Sequence, residues 1–79
     1  MEVKEVFSMV LLQLRKERKL TQAKLAEQAD LETNFIGYME RGLRQPTITT
    51  LFKLAQGLNI TPSEIIRRVE QQHTDSLDV

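Results

Sequence analysis

The sequence predicts an all-α domain of five helices, in which the second and third helices form a helix-turn-helix. Apolar residues recur at intervals of three and four through most of the 79 residues, and no segment alternates as a strand would. Helix-capping residues and a glycine stop separate the apolar segments. Cysteine is absent from the sequence, which excludes a disulfide framework and a thiolate metal site.

The first two helices are predicted over residues 3–19 and 22–29. The first ends in the basic segment RKERK, which suits a helix C-terminus. Thr21 is a good N-cap for the second helix, and Asp30 follows it in a turn where Asp tolerates a left-handed backbone. The apolar stripe of the first helix consists of Val3, Val6, Phe7, Val10, Leu11 and Leu14.

A third helix is predicted from about Thr33 to Arg41, ended by Gly42. Ala26 is small where the second and third helices must cross closely, and Leu31 closes the turn between them. The residues that face inward from this pair of helices are Leu25, Ala26, Ala29, Leu31, Ile36 and Met39. This spacing is typical of a helix-turn-helix, whose second helix lies in the major groove when it binds DNA.

Two further helices and a tail are predicted after Gly42. Thr47 caps the fourth helix, whose inner face carries Ile48, Leu51, Leu54, Ala55 and Leu58. Residues 61–64, TPSE, are typical of a capping box with proline at the first helical position. They open a fifth helix with an apolar stripe of Ile65, Ile66 and Val69. We expect residues 1–72 to form the domain and residues 73–79 a frayed tail.

The distribution of charge favours a DNA-binding function although the whole chain has no net charge. Residues 13–63 carry a net charge of +3, whereas residues 1–12 carry −1 and residues 64–79 carry −2. The positive excess therefore coincides with the helix-turn-helix, where contacts to phosphate need Lys and Arg. Because the excess is small, we expect limited non-specific affinity per copy and a need for dimerisation.

The remaining composition argues against several other classes of protein. No apolar run is long enough to span a bilayer, and the first residues lack the basic start of a secretory signal, so we expect a soluble cytoplasmic protein. The single histidine, His73, lies in the predicted tail, and no carboxylates cluster around a pocket. We therefore expect no enzyme activity, metal, cofactor or small-molecule ligand.

Four residues on the outer face of the third helix are predicted to read bases: Thr33, Asn34, Gly37 and Tyr38. Asn can contact adenine through two hydrogen bonds, and the Thr methyl can pack on a thymine methyl. The alternative is that these polar residues only begin a solvated helix. A glycine within a helix costs about 1 kcal/mol, which indicates close approach to DNA or to a neighbouring helix at Gly37, or else an unconstrained exposed face.

A second group of residues is predicted to contact phosphate: Gln22, Arg41, Arg44, Gln45 and Lys53. Gln22 begins the second helix, where backbone N–H groups and the helix dipole favour an anion. Arg41, Arg44 and Gln45 follow the third helix and would flank the same groove.

Glu40 is predicted to brace the helices, because its charge would repel phosphate. Its expected partner is a base on the first helix, Arg15 or Arg18. The dimer surface is predicted to come from the fifth helix and its approach. The candidate residues there are Ile60, Ile65, Ile66 and Val69, which could instead all pack into the core of a single chain.

The segments TQAKLAEQADL, ERG and RQPTITTLFKLAQGLNI resemble the lambda-repressor-like family, also called the Xre or Cro/cI family. The likeness covers roughly residues 11–66. It implies a five-helix DNA-binding domain that acts as a homodimer on palindromic operators. It also implies DNA contact at Gln22, Thr33, Asn34, Tyr38, Arg41 and Arg44. Two positions depart from the family pattern, since Asp30 replaces a common Gly and Glu32 stands where Ser or Asp usually caps the third helix.

The segment LETNFIGYMERG is similar to the controller proteins of restriction-modification systems within this family. The resemblance implies a transcriptional regulator, either repressor or activator, with double-stranded DNA and a second copy of the chain as partners. RNA polymerase is a candidate third partner. An alternative hypothesis is an antitoxin or a protein-bridging module, whose main partner is another protein.

Overall fold

Five α-helices and no strand make up residues 1–77, the part of the chain that this computed structural model describes. The helices are α1 (Val3–Glu17), α2 (Gln22–Ala29), α3 (Thr33–Glu40), α4 (Ile48–Leu58) and α5 (Pro62–Leu77). The predicted fold class and number of helices are confirmed. None of these helices combines the length and the apolar content that a membrane crossing needs.

Each helix buries one face in a shared core. Helix α1 packs against α3 and α5, helix α2 packs against α3 and α4, and α4 also packs against α5. The third helix is thus supported from behind by both α1 and α2. The core consists of Val6, Phe7, Val10, Leu11, Leu14, Leu25, Ala26, Ala29, Ile36, Met39, Leu51, Leu54, Ala55, Leu58, Ile65 and Val69. Leu31 is half-buried against it.

Threonine side chains cap three of the helices, as predicted. The Oγ1 atoms of Thr21, Thr47 and Thr61 each accept a hydrogen bond from the backbone N–H three residues later, at 3.0, 3.1 and 3.1 Å. Each bond satisfies one of the donors that a helix start leaves free. Asp30 takes the predicted left-handed backbone, with φ of 56°.

Helix α1 is shorter than predicted, because it ends at Glu17. Lys19 adopts a left-handed backbone with φ of 58°, and the Leu20 N–H then bonds to the Arg15 carbonyl at 3.1 Å. The residue with this backbone conformation at a helix end is usually Gly and sometimes Asn. Lys19 carries no such signal, so the helix end predicted from the sequence lies two residues too late.

Helix α5 is longer than predicted, since it runs to Leu77 through residues expected to fray. Polar contacts support this last part: Gln71 donates to Asp75 at 3.1 Å, and the Ser76 hydroxyl donates to the His73 carbonyl at 2.8 Å. Side chains four residues apart stabilise a helix without an apolar stripe. Residues 78–79 of the predicted tail lie outside the described residues.

Two residues predicted to face inward are exposed instead. Val3 is 51% exposed and Ile48 is 72% exposed. Each is the first residue of its helix. Because Cα–Cβ bonds tilt toward the helix N-terminus, a side chain in this position projects past the end of its own helix. The neighbouring helices do not cover these two projecting side chains.

Helices α2 and α4 are in close contact at Gly57. A Cβ placed on Gly57 would lie 2.9 Å from the Ala29 Cβ and 3.0 Å from the Ala29 backbone nitrogen. Leu25 Cδ1 would also be 3.0 Å away. The sequence predicts the need for a small residue at Ala26, which is buried, but not at Gly57.

We predict that Gly57→Ala destabilises the fold although alanine favours helix. The added methyl would meet backbone, so α2 and α4 must separate, at a cost of about 1–3 kcal/mol in the free energy of unfolding. Gly37→Ala is the matched control, because a Cβ there meets nothing nearer than 3.7 Å. It should gain about 0.5–1 kcal/mol. Thermal or urea unfolding measures both, and equal effects of the two changes would contradict this description of the crossing.

Candidate nucleic-acid interface

The Arg15 side chain of α1 is bonded both to the end of α3 and to the connection that precedes α2. Arg15 Nε donates to Glu40 Oε2 at 2.6 Å, and Arg15 Nη2 donates to Glu40 Oε1 at 3.0 Å. Arg15 Nη1 also donates to the Leu20 carbonyl at 2.8 Å. One guanidinium therefore fixes the last residue of α3 and the connection between α1 and α2.

The ion pair between Arg15 and Glu40 is largely shielded from solvent. The Arg15 side chain is 13% exposed and the Glu40 side chain 5%. The hydrogen bond from Arg15 to Glu40 raises the pKa of the Arg15 guanidinium above its usual value, in spite of partial burial. The Glu40 charge is thus matched inside the domain, and it is not presented to a phosphate. Glu40 pairs with Arg15, one of the two partners that the sequence suggested.

Gln22 extends this arrangement to α2. Its Nε2 donates to Glu40 Oε1 at 2.9 Å, so a single carboxylate receives hydrogen bonds from α1 and from α2. We call Arg15, Glu40 and Gln22 the brace. The sequence predicts only a phosphate contact for Gln22 and contains no signal for its place in the brace.

The outward side of α3 presents polar side chains to solvent. Thr33, Asn34 and Tyr38 are exposed, and the Arg41 guanidinium lies over the Tyr38 ring, 5.3 Å from its centroid. This distance suits a cation–π contact, which limits the freedom of both side chains. We call these four residues the recognition surface.

Gly37 lies within this surface but is not open to solvent, which corrects its predicted position. It is buried between the side chains of Gln22 and Arg41, whose terminal atoms lie 3.7 Å from the place of a Cβ. Gly37 therefore does not lie on the exposed face that one of the two explanations assumed. The Gln22 and Arg41 side chains would make only ordinary contacts with a Cβ at this position, so their approach does not itself require a glycine.

The start of α3 has no side-chain cap. Glu32 occupies the N-cap position with extended backbone, and its side chain makes no capping hydrogen bond. This agrees with the departure from the family pattern noted above, since Glu is a weaker cap than Ser or Asp. The first N–H groups of α3, beside Thr33 and Asn34, consequently lack a side-chain acceptor from Glu32.

Apart from Gln22, the residues predicted to contact phosphate fall into two groups. Arg41, Arg44 and Gln45 are exposed, and neither arginine has an ion-pair partner among residues 1–77. Lys53 lies elsewhere, with its Nζ 3.9 Å from the Asp30 carboxylate at the turn before α3. Arg41 within the recognition surface and Arg44 three residues later are therefore exposed cations, whereas the charge of Lys53 is partly matched.

An apolar groove opens beside the loop that carries Arg44. A cavity of about 160 Å³ lies between the start of α1, the start of α4, and α5. The exposed side chains of Val3, Ile48 and Ile66 line it, and Phe52 follows one turn after Ile48 with 59% exposure. We call this the apolar groove, which the sequence analysis missed because it placed Val3 and Ile48 in the core.

The four residues predicted for the dimer surface differ in how far they are exposed. Ile65 is 1% exposed and belongs to the core of a single chain, and Val69 is 8% exposed at the floor of the groove. Ile60 is half-buried against the core. Of the four predicted residues, Ile66 alone presents a largely free side chain, with 50% exposure. Residues of one apolar stripe alternate between core and rim, which sequence spacing does not distinguish.

The chain matches a family model described as helix-turn-helix over residues 11–65. The control protein C.MunI from a Mycoplasma species is 35% identical over 72 residues, which cover 90% of this chain and 97% of that protein.

Solved structures of controller proteins share this fold. The restriction-modification controller protein C.AhdI from Aeromonas hydrophila has a TM-score of 0.75 and 34% identity, covering 78% of this chain and 94% of that one. A chain of the C.Esp1396I controller protein, from the structure of its tetramer in complex with its natural 35 base-pair operator, matches this chain with a TM-score of 0.82 and 25% identity. The match covers 90% of this chain and 93% of that one.

We predict that Glu40→Gln lowers the free energy of unfolding by about 2–3 kcal/mol, because it leaves a mostly buried Arg15 without a counter-charge. Glu27→Gln is the matched control, since Glu27 pairs with Lys24 on the surface. Its effect should stay below about 1 kcal/mol. Urea unfolding at neutral pH measures both variants, and a Glu40→Gln protein as stable as the control would refute the structural role of the brace.

Proposed function

The chain belongs to this helix-turn-helix family, and on that premise we propose that it is a sequence-specific DNA-binding transcriptional regulator. In this proposal it acts as a homodimer on palindromic operator sites and serves as the controller of a restriction-modification system. The observation that carries the proposal is a polar, solvent-facing surface on α3, held rigidly by the brace. The likeness to control proteins along nearly the whole chain supports the choice of system.

The recognition surface suits the major groove in size and chemistry. Helix α3 has 8 residues, and its first turn presents Thr33 and Asn34, where the side chains of a docked helix meet base edges. Arg41 and Arg44 follow at its far end, where they would bind phosphate and fix the register. The brace removes the negative charge of Glu40 from this face. Base contacts are thereby assigned to Thr33 and Asn34, and the phosphate contacts that position the helix to Arg41 and Arg44.

The apolar groove is the surface that we propose for the second copy. Gln45 lines the groove and directly follows Arg44, so the groove begins where the DNA-flanking loop ends. In the proposed dimer, a two-fold axis passes through the groove and both recognition surfaces lie on the same side. Two such helices enter successive major grooves about 34 Å apart. Ile48, Phe52 and Ile66 would provide the apolar contact.

The proposal includes a cytoplasmic location and RNA polymerase as a third partner. It includes no small-molecule effector. Transcription from a promoter that carries the selected operator, with purified polymerase, distinguishes activation from repression.

The function is tested by selecting bound sequences from a random duplex pool. We expect a palindromic consensus from the wild-type protein. Salt-sensitive binding without any consensus would contradict sequence-specific regulation, because phosphate contacts alone produce it.

We predict that two substitutions separate reading from positioning on the selected operator. Asn34→Ala should relax the preference at one base position per half-site, at a cost of about 1–3 kcal/mol for the preferred base. Arg44→Ala should weaken binding to all sequences alike and lower the salt slope by about 1. Fluorescence anisotropy at several salt concentrations measures both effects. An unchanged base profile for Asn34→Ala would remove that residue from the reading set.

We predict that Ile48→Asp converts the dimer to a monomer without unfolding it. The side chain is 72% exposed in the single chain, so the charge costs little there, but it would be buried without a partner in the dimer. Leu77→Asp is the control, because Leu77 is 66% exposed at the end of α5 and does not line the groove. Analytical ultracentrifugation measures the state of both, and a dimeric Ile48→Asp protein would place the interface elsewhere.

A further inference from the structure

The carboxamide of Gln22 lies on the outward side of α3, although Gln22 belongs to α2. Its Oε1 and Nε2 are 3.7 and 3.9 Å from the place that a Cβ would take on Gly37. Gly37 follows Asn34 and precedes Tyr38 in α3, and Arg41 is the residue directly after this helix. The Gln22 carboxamide thus supplies a polar group in the middle of the recognition surface, where α3 itself has no side chain.

The Glu40 carboxylate determines which way this carboxamide is turned. Glu40 Oε1 receives hydrogen bonds from Gln22 Nε2 at 2.9 Å and from Arg15 Nη2 at 3.0 Å. An ionised carboxylate accepts hydrogen bonds and has no proton to donate. If the amide were reversed, Gln22 Oε1 would face Glu40 Oε1, and neither oxygen can donate a hydrogen bond. One N–H of Gln22 therefore faces Glu40, and the Oε1 atom faces away.

The Oε1 atom of Gln22 remains available to a ligand. It accepts no hydrogen bond within residues 1–77, and no buried side-chain nitrogen or oxygen in that range lacks a partner, so this atom is not fully buried. A phosphate oxygen also only accepts, and it cannot bond to Oε1. In the major groove, the donors are the amino groups of adenine N6 and cytosine N4.

Adenine can form hydrogen bonds with both Gln22 groups that remain free, the Oε1 atom and the second N–H on Nε2. Its N6 amino group can donate to Oε1, while its N7 can accept from the second N–H on Nε2. Cytosine would leave that N–H unpaired. We propose that Gln22 reads an adenine at the centre of each half-site, and that Glu40 is the positioning residue that orients it. This inference rests on the proposed function, and it replaces the phosphate contact predicted for Gln22 from the sequence.

The test compares Gln22→Met with the wild-type protein in selection from a random duplex pool. Methionine has a similar length but makes no such pair of hydrogen bonds. We expect the wild type to prefer adenine at one position per half-site, and Gln22→Met to lose about 10-fold of that preference there alone. The control is Gln28→Met on an exposed part of α2, which should leave the profile unchanged. Thermal melts establish that both variants are folded.

Two further measurements separate a reading role from a structural one. Purine lacks the N6 amino group, so replacing the selected adenine by purine should weaken the wild type but not Gln22→Met. Glu40→Gln, assayed well below its melting temperature, should lose preference at the same position more than at others. A purely structural Glu40 would weaken all positions alike and would overturn its positioning role.

The outcomes distinguish this inference from the proposed function. Uniform weakening of all sequences by Gln22→Met would indicate a phosphate contact through the second N–H and would overturn the inference. An unchanged profile would overturn it as well, and in both cases a wild-type consensus would leave the proposed function intact. A wild type that selects no consensus would overturn both.

Discussion

The paired carboxylate of Glu40 is the interaction on which the geometry of the candidate interface depends. It receives hydrogen bonds from Arg15 on α1 and from Gln22 on α2, and it belongs to the last residue of α3. Arg15 also holds the Leu20 carbonyl between α1 and α2. A helix of 8 residues has little stability of its own. The brace and the core contacts of Ile36 and Met39 therefore give α3 its fixed direction.

The same arrangement explains how a chain without net charge can present a surface to DNA. The negative charge of Glu40 is paired inside the domain, while Arg41 and Arg44 stay exposed at the end of α3. The local excess of positive charge remains small, so one copy would gain limited affinity from phosphate contacts. The apolar groove beside this face is consistent with a functional unit of two copies.

Local signals made the helices and their starts predictable from the sequence. Thr21, Thr47 and Thr61 cap through contacts within four residues, and such contacts do not depend on the rest of the fold. The predictions were wrong where tertiary packing decides. Val3 and Ile48 continue an apolar stripe, but no neighbouring helix covers the first residue of either helix.

The candidate site shows the same division between local and tertiary information. The outward placement of Thr33, Asn34 and Tyr38 follows from helical periodicity. The position of the Gln22 carboxamide over Gly37 depends on how α2 crosses α3, which no local spacing records. Hydroxyl-radical footprinting on the selected operator is the most direct test of the complete account. We expect two protected segments on one face of the duplex, with centres about 34 Å apart. A single segment, or uniform protection along the duplex, would contradict binding by a dimer with two recognition helices.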